Sequence, residues 1–315
     1  MQLDLGLNRI YCGDSRQMDA VADSSVQLIV TSPPYNVGKP YDAHGDSLEL
    51  REYQAMLAAV WQECWRVLCP GGRIAVNVAN TFRTPYLPLH SYVIRQLIDL
   101  GFLMRGEIIW DKGATAGVST AWGSFARASN PVLRDVHEYV MVFSKETFKL
   151  EPSKPHHGDE RPTSGIANQQ FVDWTRSIWR LETESRITGK DGKRYHHPAP
   201  FPAELPRRLM LLYTNRGDVV LDPFMGSGST AVAAVQEGRQ FVGYDISPEY
   251  CDWARERVAH AEPRSITPIT AAPKVRRTYP RRRKVAAGVP VLQSMLPAGA
   301  RPAATEAPER QQAAG

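Results

Sequence analysis

A doubly wound α/β fold, with a mostly parallel sheet and one inserted region, is what this 315-residue sequence predicts. Three observations carry the expectation. An apolar run from Val26 to Val30 stops at Thr31-Ser32-Pro33-Pro34-Tyr35. An amphipathic stretch and a second apolar run follow it. Far downstream, Val219-Val220-Leu221 runs into Asp222-Pro223-Phe224-Met225-Gly226-Ser227-Gly228-Ser229-Thr230. Strands that alternate with helices pair in parallel, because each crossover returns the chain to the same edge.

Taken in order, the first helix is read from Tyr53 to Leu68. Its large apolar residues fall at Met56, Leu57, Val60, Trp61, Cys64 and Trp65, in alternating steps of three and one, which is helical period. Pro70-Gly71-Gly72 is expected to end that helix before a strand from Arg73 to Val78. A helix near Tyr92 to Leu100 and strands near Leu103 to Trp110 and Glu138 to Phe143 continue the pattern. Strands at Val219 to Leu221 and Phe241 to Tyr244 complete it, with a helix between them from the AVAAVQEG stretch. Ser247-Pro248 reads as the cap and first residue of a last helix. Between Lys145 and Tyr195 the alternation disappears into Lys, Arg, His, Asp, Gly and isolated Trp, which reads as an insertion. The chain therefore divides at 1–144, 145–195, 196–262 and 263–315.

The net charge of +5 hides an asymmetry. Residues 263–315 hold ten Lys/Arg against two Glu, a net of +8, so the rest carries 28 basic against 31 acidic side chains. That Pro-, Ala- and Arg-rich tail has too few large apolar residues for a core and is expected to be disordered; it either attracts phosphates or solubilises the chain. The cysteines Cys12, Cys64, Cys69 and Cys251 form no CxxC pair and no zinc spacing, which argues against a metal site and fits a reducing cytoplasm. His156-His157 and His196-His197 lack companion ligands at metal spacing. With no apolar run long enough to cross a bilayer and no basic leader, a soluble cytoplasmic protein is expected, without membrane or metal partners.

Strand, glycine loop and helix together make a nucleotide-binding geometry. Glycines admit a ligand close to the backbone, and the helix N-terminus offers free N–H groups. Asp245, after the following strand, stands where a carboxylate would accept from both hydroxyls of a ribose. A dinucleotide site would want a further glycine where Ala231 stands, and a P-loop would need a lysine that is absent. A plain glycine turn is the remaining alternative. Two consecutive prolines at 33 and 34 make a stiff loop with few donors and exposed carbonyls.

Together, TSPPY and DPFMGSGST, in that order, resemble the S-adenosylmethionine-dependent DNA amino-methyltransferases of the β arrangement, which modify cytosine N4 or adenine N6. Further support comes from Gly13-Asp14, Ile108-Ile109-Trp110-Asp111-Lys112, Arg134-Asp135-Val136-His137-Glu138 and His197-Pro198-Ala199-Pro200-Phe201-Pro202, so the resemblance covers about residues 8–260. It implies a Rossmann-like methyltransferase sheet, with 1–144 as the catalytic half, 145–195 as a target-recognition insertion and 196–262 as the cofactor-binding half.

The resemblance also implies roles. Asp222, Phe224, Gly226, Gly228 and Ser229 would line the S-adenosylmethionine loop, Asp245 would hold the ribose, and Asp14 would lie near the adenine, unless it is simply a turn or cap aspartate. Ser32 and the Pro33 carbonyl would accept the N–H groups of the target amine, with Pro34 fixing the loop and Tyr35 stacking on a flipped base of double-stranded DNA. Serine in SPPY is more usual in the family's cytosine enzymes and aspartate in its adenine enzymes, so cytosine N4 is expected and adenine N6 is the alternative. An RNA or protein-amide methyltransferase and a non-enzymatic DNA-binding module are the more distant readings. Base and phosphate contacts are sought at Trp122, Arg161, Arg176, Arg180, Arg186 and Lys190. Glycine-rich residues 114–130 are expected to form a loop near the flipped base. A cognate restriction endonuclease is a candidate partner, and the enzyme is expected as a monomer or homodimer.

Overall fold

A computed structural model describes residues 6–36, 40–41, 44–45, 48–81, 85–113, 123–151, 163–183, 187–188, 194–195 and 201–264. Its centre is an eight-stranded sheet. In chain order the strands are β1 (Arg9–Cys12), β2 (Val26–Thr31), β5 (Leu68–Val78), β6 (Leu103–Asp111), β7 (His137–Ser144), β8 (Ile178–Arg180), β11 (Val219–Asp222) and β12 (Gln240–Asp245). Two small antiparallel pairs lie apart from it: β3 (Pro40–Tyr41) with β4 (His44–Gly45), and β9 (Ile187–Thr188) with β10 (Arg194–Tyr195).

The spatial order is β1-β12-β11-β2-β5-β7-β6-β8. All neighbours are parallel except β5 with β7 and β7 with β6, so one reversed strand interrupts an otherwise parallel sheet. Placing β11 beside β2, with Leu221 opposite Ile29, brings the two motif-bearing loops out at one edge although they lie far apart in sequence.

Both faces of the sheet are covered, which is why the central strands are mostly apolar. Successive residues of a strand point to opposite faces. Ile29, Leu221 and Val242 join a core with Leu57, Trp61 and Cys64 of helix α1 (Leu50–Val67) and Val93 and Leu97 of α2 (Leu89–Asp99). Leu28, Val30 and Val220 join the other core. It takes in Leu205 and Leu209 of α4 (Glu204–Tyr213), Ala231 and Ala234 of α5 (Ser229–Gln236) and Ala254 of α6 (Pro248–Ala259). Trp61 and Leu57 are almost wholly buried, and truncating such residues to Ala costs about 2–5 kcal/mol.

The α/β expectation holds, with local corrections. The first helix begins three residues earlier than its apolar period suggests and stops at Val67. Pro70-Gly71-Gly72 does not separate helix from strand: Leu68 already pairs with Val26, and the Pro-Gly-Gly stretch sits in β5 where the register with β2 shifts. Tertiary pairing explains it. Gly71 N–H donates to Lys145 O at 2.9 Å and Lys145 N–H to Gly72 O at 3.0 Å. Gly71 itself has φ +75°, and a Cβ there would lie 2.1 Å from the Lys149 carbonyl oxygen.

The stretch read as an insertion also contributes to the body. Within it α3 (Asn168–Trp174) leads to β8, which extends the sheet beside β6, and Trp174, Trp179 and Leu181 are buried in the second core. Trp179 Nε1 donates to Trp174 O at 3.0 Å and Trp110 Nε1 to Leu181 O at 2.8 Å, so the buried indoles are satisfied. At the other edge β1 lies parallel to β12, and Arg255 of α6 donates to Ile10 O at 2.8 Å. Ser247 caps α6 by accepting from Tyr250 N–H at 3.3 Å, with Pro248 in the first turn, as its sequence predicts. His156, His157, His196, His197 and the tail from residue 265 lie outside the described residues. Among the described residues no helix is long and apolar enough to cross a membrane, and no group of three or more His, Cys, Asp or Glu could hold a metal ion.

Candidate active site

The Ser-Pro-Pro-Tyr loop leaves the end of β2 and is pinned from several sides. Thr31, the last residue of the strand, donates its hydroxyl to Asp222 Oδ1 at 2.7 Å. Tyr53 of α1 donates to the Pro34 carbonyl at 2.7 Å. Asn36, at φ +55°, exchanges two hydrogen bonds of 2.7 Å with the backbone of Leu48. Among the described residues no donor is bonded to the Pro33 carbonyl. Pro34 thus anchors the loop, and its neighbour's oxygen is left for another donor.

Behind this loop lies a polar cluster inside the sheet. Tyr35 is 8 % exposed, and its hydroxyl donates to Glu138 Oε2 at 3.0 Å. Ser32 Oγ lies 3.0 Å from the same hydroxyl. Asn77 Nδ2 donates to Glu138 Oε2 at 2.6 Å and to Tyr35 Oη at 3.1 Å, while Lys112 Nζ forms an ion pair with Glu138 Oε1. Asn77, Lys112 and Glu138 come from β5, the end of β6 and β7, three adjacent strands.

The glycine loop follows β11. Asp222 is fully buried and does not face the cavity. Its carboxylate accepts from Thr31, from Thr230 Oγ1 at 2.7 Å and from Phe224 N–H at 3.1 Å. Burial pushes this carboxyl up to about 6, against the opposing pull of its hydrogen bonds. Gly228 likewise serves packing. At φ +84°, a Cβ on it would lie 2.8 Å from Ala254 Cβ, so its bare α-carbon lets α5 and α6 meet. Gly226, at φ +51°, donates its N–H to Asp245 Oδ2 at 2.8 Å, and Ser247 N–H donates to Asp245 Oδ1 at 2.9 Å. These two bonds orient the Asp245 carboxylate, one to each oxygen.

Both loops open into one cavity of about 630 Å³. Its wall includes Ser32, Pro33, Pro34 and Tyr35 from the first loop and Phe224, Gly226 and Ser229 from the second, together with Asp14 and Asp245. Of the residues expected to hold a cofactor, only Asp222 and Gly228 are absent from the wall. Asp14 is exposed and clamped by Arg16, whose Nε donates to Oδ2 at 2.8 Å; Arg16 also lines the cavity. Sequence reasoning missed Glu52, Tyr53, Met56, Ile246 and Tyr250 in this wall. Tyr53 and Met56 served there only as marks of helical period, and the α1 stripe they belong to continues past the core into the site.

The wall fits S-adenosylmethionine. It has the volume of a small-molecule site, apolar surface at Phe224, Met56 and Ile246, and three carboxylates, Asp14, Glu52 and Asp245. Ser229 Oγ, in the first turn of α5, is buried without a hydrogen-bond partner, a polar atom that a ligand there would satisfy.

The DNA-contact candidates fare differently. Trp122, Arg161, Arg186 and Lys190 lie outside the described residues, as does 114–122 of the glycine-rich loop. Arg176 is exposed and 3.6 Å from Asp173. Arg180 is exposed and donates to Asp111 Oδ2 at 3.1 Å; Asp111 also accepts from Gly113 N–H at 2.8 Å, and these bonds hold its carboxyl below the usual range. Neither arginine lines the cavity.

Comparison with known proteins agrees with this geometry. The DNA methylase family matches residues 26–256. The type II methyltransferase M.MjaI of Methanocaldococcus jannaschii is 31% identical over 78% of this chain and 89% of its own length. The type II methyltransferase M.HpaI of Haemophilus parainfluenzae is 28% identical over 79% and 74%. A protein of Thermus thermophilus, designated a DNA modification methylase and solved with S-adenosyl-L-methionine, is 29% identical over 81% of this chain and 96% of its own, with a TM-score of 0.60. With the two motif loops on one cavity wall and a family match spanning both, the chain belongs to the DNA methylases that act on amino groups, as an S-adenosylmethionine-dependent DNA N-methyltransferase of the β arrangement.

Proposed function

We propose that the enzyme methylates the exocyclic N4 of cytosine in a base flipped out of duplex DNA. The observation that carries this reading is the position of Ser32 and Pro33 on the same cavity wall as Phe224, Ser229 and Asp245. An exocyclic amine conjugated with its ring is a poor nucleophile. Acceptors on its two N–H bonds pull the nitrogen toward a pyramidal geometry and turn its lone pair toward an electrophile.

When bound, S-adenosylmethionine supplies that electrophile as a sulfonium methyl group. Phe224, Ser229 and Asp245 would hold it, with Asp14 at the adenine end. Ser32 Oγ and the Pro33 carbonyl would each accept one amine N–H, and both hydrogen bonds strengthen as positive charge develops on nitrogen. The rigid Pro-Pro pair and the Tyr53 anchor keep the carbonyl from moving away. Tyr35 offers only its cavity-facing surface for stacking on the base, since its hydroxyl is engaged in the sheet. Among the described residues no cysteine lines the cavity, in keeping with direct attack by nitrogen. Serine rather than aspartate at position 32 supports cytosine over adenine.

Incubating the protein with methyl-labelled S-adenosylmethionine and mixed-sequence duplex DNA, then digesting completely and identifying the labelled nucleoside, tests this. Label in N4-methylcytosine is expected. Label in N6-methyladenine would replace the base assignment and keep the roles of the loops.

A further inference from the structure

The chemistry at Ser32 raises a difficulty that the residues behind it resolve. A serine hydroxyl both donates and accepts, so nothing about serine itself compels it to accept from an amine. A hydroxyl that pointed its proton at the target nitrogen would engage the lone pair and block attack. Aspartate at this position would avoid the ambiguity by carrying charge.

We propose that Glu138, held by Lys112 and Asn77, is the positioning residue that sets the direction of a hydrogen-bond chain through Tyr35 to Ser32, so that Ser32 Oγ presents only acceptor capacity to the target amine. The chain is read from its charged end. Lys112 Nζ is paired with Glu138 Oε1, and a carboxylate bridged to an ammonium accepts and does not donate. Tyr35 Oη, 3.0 Å from Glu138 Oε2, must therefore spend its one proton there. With its proton committed, Tyr35 Oη can only accept from Ser32 Oγ at 3.0 Å. The Ser32 proton is thereby drawn into the sheet, away from the substrate.

Asn77 reinforces the same direction. Its Nδ2 gives one hydrogen to Glu138 Oε2 at 2.6 Å and the other to Tyr35 Oη at 3.1 Å, with Ser32 Oγ farther off at 3.5 Å. The opposite amide orientation would set Asn77 Oδ1 against the carboxylate, so Glu138 fixes this one too. The arrangement is costly: Asn77 Oδ1 is buried with no hydrogen-bond partner. Glu138, Asn77 and Tyr35 are all at least nine-tenths buried, and an apolar filling of this layer would avoid that cost. What the polar cluster adds is direction.

The proposal rests on the reading of Ser32 as an amine acceptor, and the two are separable by experiment. Single-turnover methyl transfer, KM for DNA, cofactor affinity by calorimetry and thermal melting are measured for Ser32→Ala, Tyr35→Phe, Glu138→Gln and the double variant Ser32→Ala/Tyr35→Phe. Tyr35→Phe and Glu138→Gln are each expected to slow transfer by about 10- to 100-fold, with KM and cofactor affinity within about twofold of wild type. The double variant is expected to be no slower than Ser32→Ala alone, because both substitutions break one chain. Full turnover in Ser32→Ala would remove the acceptor reading itself and this proposal with it. Slow Ser32→Ala beside wild-type rates in Tyr35→Phe would overturn the chain and leave the acceptor reading standing. Losses that multiply in the double variant, or that appear as weakened cofactor binding, would also overturn it. Should Glu138→Gln fail to fold, Tyr35→Phe decides alone, since it removes a single oxygen and keeps the ring.

Discussion

The hydroxyl of Thr31 donates to the carboxylate of Asp222 at 2.7 Å, joining the last residue of one strand to the last residue of its neighbour across 191 positions of sequence. Thr230 donates to the other oxygen of that carboxylate at 2.7 Å, so one buried group ties the Ser-Pro-Pro-Tyr loop, the glycine loop and the first turn of α5 together.

That carboxyl makes stability depend on pH. Its folded value is raised from 3.8 to about 6, so its stabilising contribution is complete below about pH 3.8 and is lost as pH rises through about 6. Urea unfolding at pH 4.5 and 7 should therefore show Asp222→Asn losing less stability on that rise than wild type, by a difference on the order of 2 kcal/mol. Equal pH slopes in the two proteins would show that the carboxyl titrates normally.

Gly228 packs closely against Ala254 of α6. Gly228→Ala combines a left-handed φ of +84° with a Cβ 2.8 Å from Ala254 Cβ, and should destabilise the fold by roughly 2 kcal/mol or more. Because α5 starts at the next residue, cofactor affinity by calorimetry should fall as well. A variant that melts and binds like wild type would contradict the packing role.

Tyr53→Phe removes the hydrogen bond to the Pro34 carbonyl and keeps the ring. Loss of roughly 1 kcal/mol of loop anchoring should appear as a several-fold lower rate of methyl transfer with cofactor affinity nearly unchanged. An unaltered rate would mean that the two prolines, with the bonds of Thr31 and Asn36, hold the loop without Tyr53.

Arg180 is a candidate phosphate contact, exposed beside Asp111. Arg180→Ala should weaken duplex binding and lower the dependence of log affinity on log salt by about one contact if its guanidinium neutralises a phosphate. Filter-binding isotherms over a salt series measure this, and parallel lines would return Arg180 to its pairing with Asp111.

The legible parts of the sequence were those in which a local pattern answers to a local cause. TSPPY and DPFMGSG each bend the chain by their own prolines and glycines, and both loops sit where the strand pattern sends them. Pro70-Gly71-Gly72 misled because the pairing that draws it into a strand comes from Lys145, far away in sequence. Asn77 and Glu138 went unread as site residues for a similar reason. Each is a single polar residue in a largely apolar strand, and its meaning depends on Tyr35 and Lys112 arriving from the loop after β2 and the end of β6. A buried-looking strand such as RIAVNV, carrying one asparagine, was the available signal. Isolated tryptophans in a polar stretch were another, since Trp174 and Trp179 mark where 145–195 rejoins the core.

The edge of the sheet at β1 has a genetic consequence. Arg9–Cys12 lies alongside Gln240–Asp245, and Arg255 of the last helix bonds to Ile10, so the first strand and the last helix are neighbours in space. A gene circularly permuted to join these ends by a short linker and to open the chain on a surface turn elsewhere would be translated with the glycine loop ahead of the Ser-Pro-Pro-Tyr loop. It would still close the same cavity, because the contact between Thr31 and Asp222 is indifferent to which of them the ribosome makes first.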